Sequence, residues 1–271
     1  MYMDLFKAII LGAIQGLTEF LPISSSGHLV IGSALLDFEG PGIAFEVFLH
    51  LGTLLAVIVA FRRELLLMVT ALVSSSTARQ RNPELRQAFL WDIYVVVATL
   101  PAVGVGLFLK DDIDSIFDNI LVTFTMLAVT GTIMVLTRFL RQKDTPVTCP
   151  RAFAIGIAQA MAILPGLSRS GSTIFAGMLM GINRETAARF SFIMSIPAII
   201  GAAVLKLGDL LVNPPGTAEM TNILAGTLAA AISGYLAIVL LMHIVRRGQL
   251  QWFGYYCFLV SGIGFSWYFL H

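Results

Sequence analysis

Residues 15–28 read Gln15-Gly16-Leu17-Thr18-Glu19-Phe20-Leu21-Pro22-Ile23-Ser24-Ser25-Ser26-Gly27-His28. They close an apolar run, Leu5–Phe20, with a proline, three serines and a glycine. That run has 16 residues. As a helix it rises only about 24 Å, short of the ~30 Å hydrocarbon core of a bilayer. A second short run, Leu29–Leu36, follows the turn. The pattern recurs as Phe153–Leu164, then Pro165-Gly166-Leu167-Ser168-Arg169-Ser170-Gly171, then Thr173–Met180. Each is predicted to be two short helices around a polar break, a re-entrant hairpin. Such backbone survives at membrane depth only where protein or a wet cavity covers it. The competing reading is two ordinary spans kinked by proline, but a kink needs no cluster of serines and glycines.

Composition points to the same solvent. Of 271 residues, 57% are apolar and 12% charged, with a net charge of +1. Soluble domains carry about 25% charged residues. The balance excludes a disordered chain, a nucleic-acid binder and an ordinary cytosolic enzyme. Cys149 and Cys257 form neither a CxxC nor a disulfide framework. The N-terminus has no basic lead and no small-residue cleavage site, and is not read as a signal peptide.

Six further stretches are long and apolar enough to span: Ile43–Phe61, Phe89–Leu109, Asn119–Leu140, Ala187–Leu207, Asn222–Val245 and Trp252–Leu270. A shift of 144 positions lays one hairpin on the other, pairing Gly12 with Gly156, Gln15 with Gln159, Ser24 with Ser168, Ser26 with Ser170 and Gly27 with Gly171. The expected fold is therefore an all-α integral membrane protein with six transmembrane helices plus two re-entrant hairpins. It forms a single membrane domain, 1–271, divided into halves 1–147 and 148–271. Each half crosses three times, so the second enters inverted, and inverted repeats bring broken helices together near the midplane. Under this topology thirteen basic residues, Arg62, Arg63 and Arg246 among them, fall on one side, against Lys7, Lys110 and Lys206 on the other. The positive-inside rule then puts both termini and the first hairpin outside.

Ionisable groups within membrane segments are functional candidates by default. Glu19 lies in the first hairpin and Arg169 at the tip of the second. If the tips meet, they share a site with His28 and the hydroxyls of Ser24, Ser25, Ser26, Ser168, Ser170, Ser172 and Thr173. Gly27 and Gly171 let backbone amides approach, and both turns lead into helix N-termini, which attract anions. Arg169 offers a planar fork for phosphate oxygens. Together these describe a phosphate or diphosphate site. The plainer alternative is a structural Glu–Arg pair pinning two hairpins. Glu19 would repel a diphosphate unless a cation lay between them. Mg²⁺ is commonly held by one or two carboxylates plus substrate phosphates, and Gln15, one turn before Glu19, could add a carbonyl. His28 could act as acid or base, or activate a serine. His50 and His243, inside spans, are assigned packing or interface roles, and His271 is terminal. Glu46 is a second-tier site candidate. Lys110–Asp118 reads as a solvated external loop and Ser74–Arg86 as a flexible cytoplasmic loop.

Residues 15–28 and Pro165-Gly166-Leu167-Ser168-Arg169-Ser170-Gly171-Ser172-Thr173 resemble the two signatures of the bacterial undecaprenyl-diphosphate phosphatases, also called bacitracin-resistance proteins. The hydropathy matches that family over essentially the whole chain. The resemblance implies hydrolysis of undecaprenyl diphosphate to the monophosphate carrier lipid used in cell-wall synthesis, with release of inorganic phosphate. It also implies a divalent cation, Mg²⁺ or Ca²⁺, a homodimer, and a site in the bacterial inner membrane opening to the outer face. By position, Glu19 matches an essential acidic residue, Ser25 the proposed nucleophile, His28 its histidine partner and Arg169 the phosphate-binding arginine. Gln15 departs from members with glutamate there, which weakens a two-carboxylate metal site. Ser26 replaces a threonine seen in some members and keeps the hydroxyl. A neighbouring family of lipid phosphatases with a histidine nucleophile needs a second histidine six residues after the arginine, where this chain has Phe175. The rival of a different class is a lipid flippase or secondary transporter, whose hallmark is inverted repeats with broken helices.

Overall fold

A computed structural model of the chain describes residues 5–35, 43–108, 119–141, 143–212 and 216–270. Helices dominate, and no strand occurs among the described residues. The first hairpin region forms α1 (Leu5–Phe20) and α2 (Ser25–Leu35). Then come α3 (Ile43–Ala60), α4 (Arg62–Val73), α5 (Ser76–Arg81), α6 (Pro83–Phe108) and α7 (Ile120–Leu136). The second hairpin region gives α8 (Cys149–Met161) and α9 (Arg169–Leu179), followed by α10 (Arg184–Val212), α11 (Thr217–Arg247) and α12 (Gln251–Leu270). Both sequence-derived helix–turn–helix units are present, broken at Pro22 and at Pro165-Gly166. The predicted loop 110–118, the ends Leu36 and Leu109, and His271 lie outside the described residues.

Five helices are long and apolar enough to cross a membrane: α6, α7, α10, α11 and α12. A sixth candidate is the pair α3 and α4, bent by 81° at Phe61. By itself α3 has 18 residues, about 27 Å of rise. Large apolar side chains such as Leu66, Leu228, Leu236 and Leu259 lie more than half exposed on the outer faces, as expected of a multi-pass membrane protein in acyl chains.

One expectation fails. The segment 74–86 is not a flexible loop: residues 76–81 and 83–86 are helical. The Ser75 side chain accepts from the Ala78 N–H at 3.2 Å and caps α5. The Asn82 carboxamide oxygen accepts from the Glu84 N–H at 2.9 Å at the start of α6. Ser75 and Asn82, polar residues of this segment, supply the N-caps.

The bundle is organised by close helix approaches. Helix α1 packs on α11, and α8 on α6. A Cβ on Gly12 would fall 2.2 Å from the Gly226 carbonyl oxygen, and one on Gly16 would fall 2.4 Å from that of Ala230. On the other side, a Cβ on Gly156 would lie 2.3 Å from the Ala98 carbonyl oxygen. Small residues substitute for hydrophobic drive here, because lipid tails are as apolar as leucine. Behind these seams lies an apolar core in which Phe192 meets Phe20 edge-on at 5.6 Å and Phe61 at 5.8 Å. The seams place α1 and α8, which lead into the two polar turns, side by side with long helices from the opposite half of the chain.

Candidate active site

Two turns, one from each half, deliver the charged residues. The C-terminal half of α1 carries Gln15 and Glu19 on one face, four residues apart. The chain then reverses through Ser24, whose φ of +70° lies in the left-handed region, costly for a residue with a Cβ. That turn makes Ser25 the first residue of α2. In the second unit Gly166 takes φ +89°, and Ser168 caps α9, whose first residue is Arg169. Ser25 and Arg169 thus hold equivalent places, 144 residues apart, at two helix N-termini.

The turns converge. Arg169 Nη2 donates to Glu19 Oε1 across 150 residues of sequence. Ser25 Oγ donates to Glu19 Oε2 at 2.8 Å, and Gln15 Nε2 donates to the same oxygen at 2.8 Å. Glu19 is 5% exposed and Arg169 22% by side chain. A buried carboxylate is thereby held by one cation and two neutral donors.

Most of the other hydroxyls expected to bind substrate take part in building the turns. Ser24 Oγ lies 3.3 Å from Ser26 Oγ and accepts from the Gly27 N–H at 3.4 Å. The second turn repeats this, with Ser168 Oγ 3.2 Å from Ser170 Oγ and accepting from the Gly171 N–H at 3.1 Å. Thr173 Oγ1 donates to the Arg169 carbonyl at 2.8 Å. Thr130 on α7 braces the tip, donating to the Gly166 carbonyl at 2.9 Å and accepting from the Ser168 N–H at 3.0 Å. Thr130→Val removes both bonds and leaves buried backbone groups unpaired. A loss of about 1–3 kcal/mol is expected in thermal or denaturant unfolding.

His28 is not brought to Ser25. Its Nδ1 lies 2.8 Å from the Ser24 carbonyl oxygen, so that nitrogen carries the proton and donates. Its Nε2 then accepts from the Tyr256 hydroxyl at 2.8 Å, with the rings stacked at 5.6 Å. The residue nearest Ser25 with proton-accepting capacity is Glu19.

A cavity of about 620 Å³ opens beside the charge pair. Its polar residues are Glu19, His50, Thr99, Gln159 and Arg169. The rest is apolar, from Ala102 to Leu107 of α6 and Pro197 to Leu205 of α10. His50 corrects the packing role read from sequence: its Nδ1 is 3.2 Å from Gln15 Nε2 and 3.8 Å from Glu19 Oε2. His243 lines a different, smaller cavity with Arg189 and Arg246. Glu46 stands one turn before His50 on α3. Gln159 was visible only as the repeat partner of Gln15, and nothing in sequence pointed to Thr99.

A cation fits this donor set in one form only. Among the described residues no three of His, Cys, Asp and Glu gather into a metal cage. Yet Gln15 Oε1 is buried without a hydrogen-bond partner beside Glu19, and Ser25 adds another oxygen. Oxygen donors with a single carboxylate suit Mg²⁺ or Ca²⁺ that takes its remaining ligands from phosphates.

A helical membrane bundle in which buried charge lines a largely apolar cavity suits an amphiphile with a charged head. The family model for the bacitracin resistance protein BacA matches residues 8–263, and the chain belongs to that family. It is 43% identical over 277 residues to the undecaprenyl-diphosphatase of Methanobrevibacter smithii, covering 97% of each chain. It is 42% identical over 268 residues to that of Rubrobacter xylanophilus, covering 96% of this chain and 97% of the other. To that of Desulforapulum autotrophicum it is 39% identical over 272 residues, covering 96% of each.

Proposed function

We propose that this chain is a membrane-embedded phosphatase that hydrolyses undecaprenyl diphosphate to undecaprenyl phosphate and inorganic phosphate. One observation carries the reading: Glu19 and Arg169, 150 residues apart, meet with Ser25 on the same carboxylate beside an apolar cavity. The isoprenyl chain lies in the groove between α6 and α10, and its diphosphate reaches the turns.

Reciprocal packing of α1 on α11 and α8 on α6 supports two inverted halves with re-entrant hairpins, 1–147 and 148–271. Helices α6 and α10 both begin on the arginine-rich side, and the cavity uses their later portions, 99–107 and 197–205. Under the positive-inside rule that is the outer leaflet, so the site opens outward and both termini lie outside. The family resemblance adds a homodimer in the cell membrane to the reading.

In the resting arrangement Glu19 occupies Arg169. An entering diphosphate takes the guanidinium fork, which matches phosphate oxygens in pairs, and frees Glu19. Glu19 then accepts the Ser25 proton as Ser25 Oγ attacks the terminal phosphorus. The bond to the bridging oxygen breaks, and undecaprenyl phosphate departs with the electron pair. Water cleaves the phosphoserine and releases inorganic phosphate. Arg169 and the N-terminal amides of α2 and α9 stabilise charge on the transferring group. A divalent cation, held by Glu19 and Gln15, would neutralise phosphate charge when bound. His28 fixes the Ser24 turn through its Nδ1–H.

The test is phosphate release by purified protein in detergent with an isoprenyl diphosphate and Mg²⁺. Release supports the reading. No release, together with lipid translocation in vesicles, would replace it with the transporter class. Acid quenching during turnover is expected to trap phosphate on Ser25, and Ser25→Ala to lose roughly 10²–10⁴-fold in rate. Full activity in Ser25→Ala would assign the attack to water, with Glu19 as its base, since both ring nitrogens of His28 are engaged.

A further inference from the structure

Gln159 is 3% exposed, and neither the oxygen nor the nitrogen of its carboxamide has a hydrogen-bond partner in the protein. It lines the same cavity as Glu19, His50 and Arg169. A buried amide whose two ends find no partner in the protein is costly unless a ligand or water meets it. The repeat explains how this arises. Gln15, 144 residues earlier, spends its Nε2 on Glu19. The position matching Glu19 in the second half is Ile163, which offers no acceptor. The second hairpin has therefore kept the glutamine and dropped its partner, at the point where the wall faces the cavity.

We infer that Gln159 is a substrate-binding residue whose amide N–H groups hydrogen-bond the diphosphate head group, completing with Arg169 a two-donor clamp. The inference rests on the diphosphatase reading above. The amide is neutral, so it adds donors without a second fixed cation and lets the monophosphate leave. Its oxygen is left for a water or a phosphate-bound cation. Divergence of the halves thus divides the labour. The first supplies the carboxylate and the serine, and the second supplies the arginine and an amide held free for the ligand.

The experiment compares wild type, Gln159→Leu and Gln159→Glu. It reads the thermal midpoint, the affinity for a methylene-bridged isoprenyl diphosphate that cannot be hydrolysed, and KM and kcat for the hydrolysable lipid. Gln159→Leu is expected to fold with an unchanged or higher midpoint, since an unpaired amide is gone. Its affinity for the analogue should fall roughly ten- to a hundred-fold, the worth of a hydrogen bond to a charged group, with KM rising in step. Gln159→Glu keeps the size and should bind still more weakly by repulsion. Unchanged affinity in Gln159→Leu would overturn the inference, as would a collapse of its folding, because an amide that holds the bundle together is not waiting for a ligand. Wild type that binds the analogue while Gln159→Leu binds it equally sinks this inference alone. Wild type that neither binds nor hydrolyses sinks the diphosphatase reading with it.

Discussion

Arg169→Leu is expected to cut hydrolysis of an isoprenyl diphosphate roughly 10³-fold or more, the usual worth of an arginine that meets charge on a transferring phosphoryl group. The same change should destabilise the bundle by about 3–5 kcal/mol, because it leaves the buried Glu19 carboxylate without its cation. The two losses are separable. In the double variant Glu19→Leu/Arg169→Leu both charges are gone, and most of the stability should return while activity stays absent. Arg169→Lys keeps a charge but not the planar fork, so it should retain more stability than activity. The measurements are thermal unfolding in detergent and kcat/KM from phosphate release. Activity recovered together with stability in the double variant would mean that the pair is only a pin between hairpins.

The second large effect concerns assembly rather than chemistry. Gly16→Leu should abolish folded protein. A Cβ there would sit 2.0 Å from Ser233 Oγ and 2.4 Å from the Ala230 carbonyl oxygen, where backbone cannot yield without parting α1 from α11. Gly12→Leu should act alike against Gly226. The cost exceeds about 4–5 kcal/mol, the far end of single substitutions. Gly262→Ala on α12 is the control. Nothing lies within 4 Å of its built Cβ, so folding should be unaffected. Yield of monodisperse protein after detergent extraction reads the difference. A well-folded Gly16→Leu would show that α1 and α11 do not meet as described.

These seams also explain how much of the molecule was legible in sequence. The helical hairpins could be read because proline, serine and glycine interrupt apolar runs too short to span. Convergence of Glu19 with Arg169, which the structure shows, was expected from the 144-residue shift and the three crossings proposed for each half. His50 could not be read, because α3 is apolar nearly all round and periodicity does not say which face meets the site. That face is set by packing on α11, where a Cβ on Gly52 would fall 2.4 Å from the Thr227 carbonyl oxygen. His28 was expected to partner Ser25 because it follows the serines and because the family resemblance implies that pairing. Tyr256, 228 residues away, takes its free nitrogen instead. The serines of both turns suggested a hydroxyl-lined pocket, but a helix start needs its N–H groups capped, and Ser24 and Ser168 are spent on that. Ser75 and Asn82 illustrate the same competition in the segment mistaken for a loop.

On α3, His50, one turn or about 5.4 Å after Glu46, brings its Nδ1 to 3.8 Å from Glu19 Oε2.

A structure of the protein with a methylene-bridged isoprenyl diphosphate tests the joining of the two turns into one site most directly. The terminal phosphate should lie within hydrogen-bond reach of both Arg169 and Ser25, with Glu19 released from Arg169 and the chain running between α6 and α10. A head group bound elsewhere, with the Glu19–Arg169 pair still closed, would contradict the account.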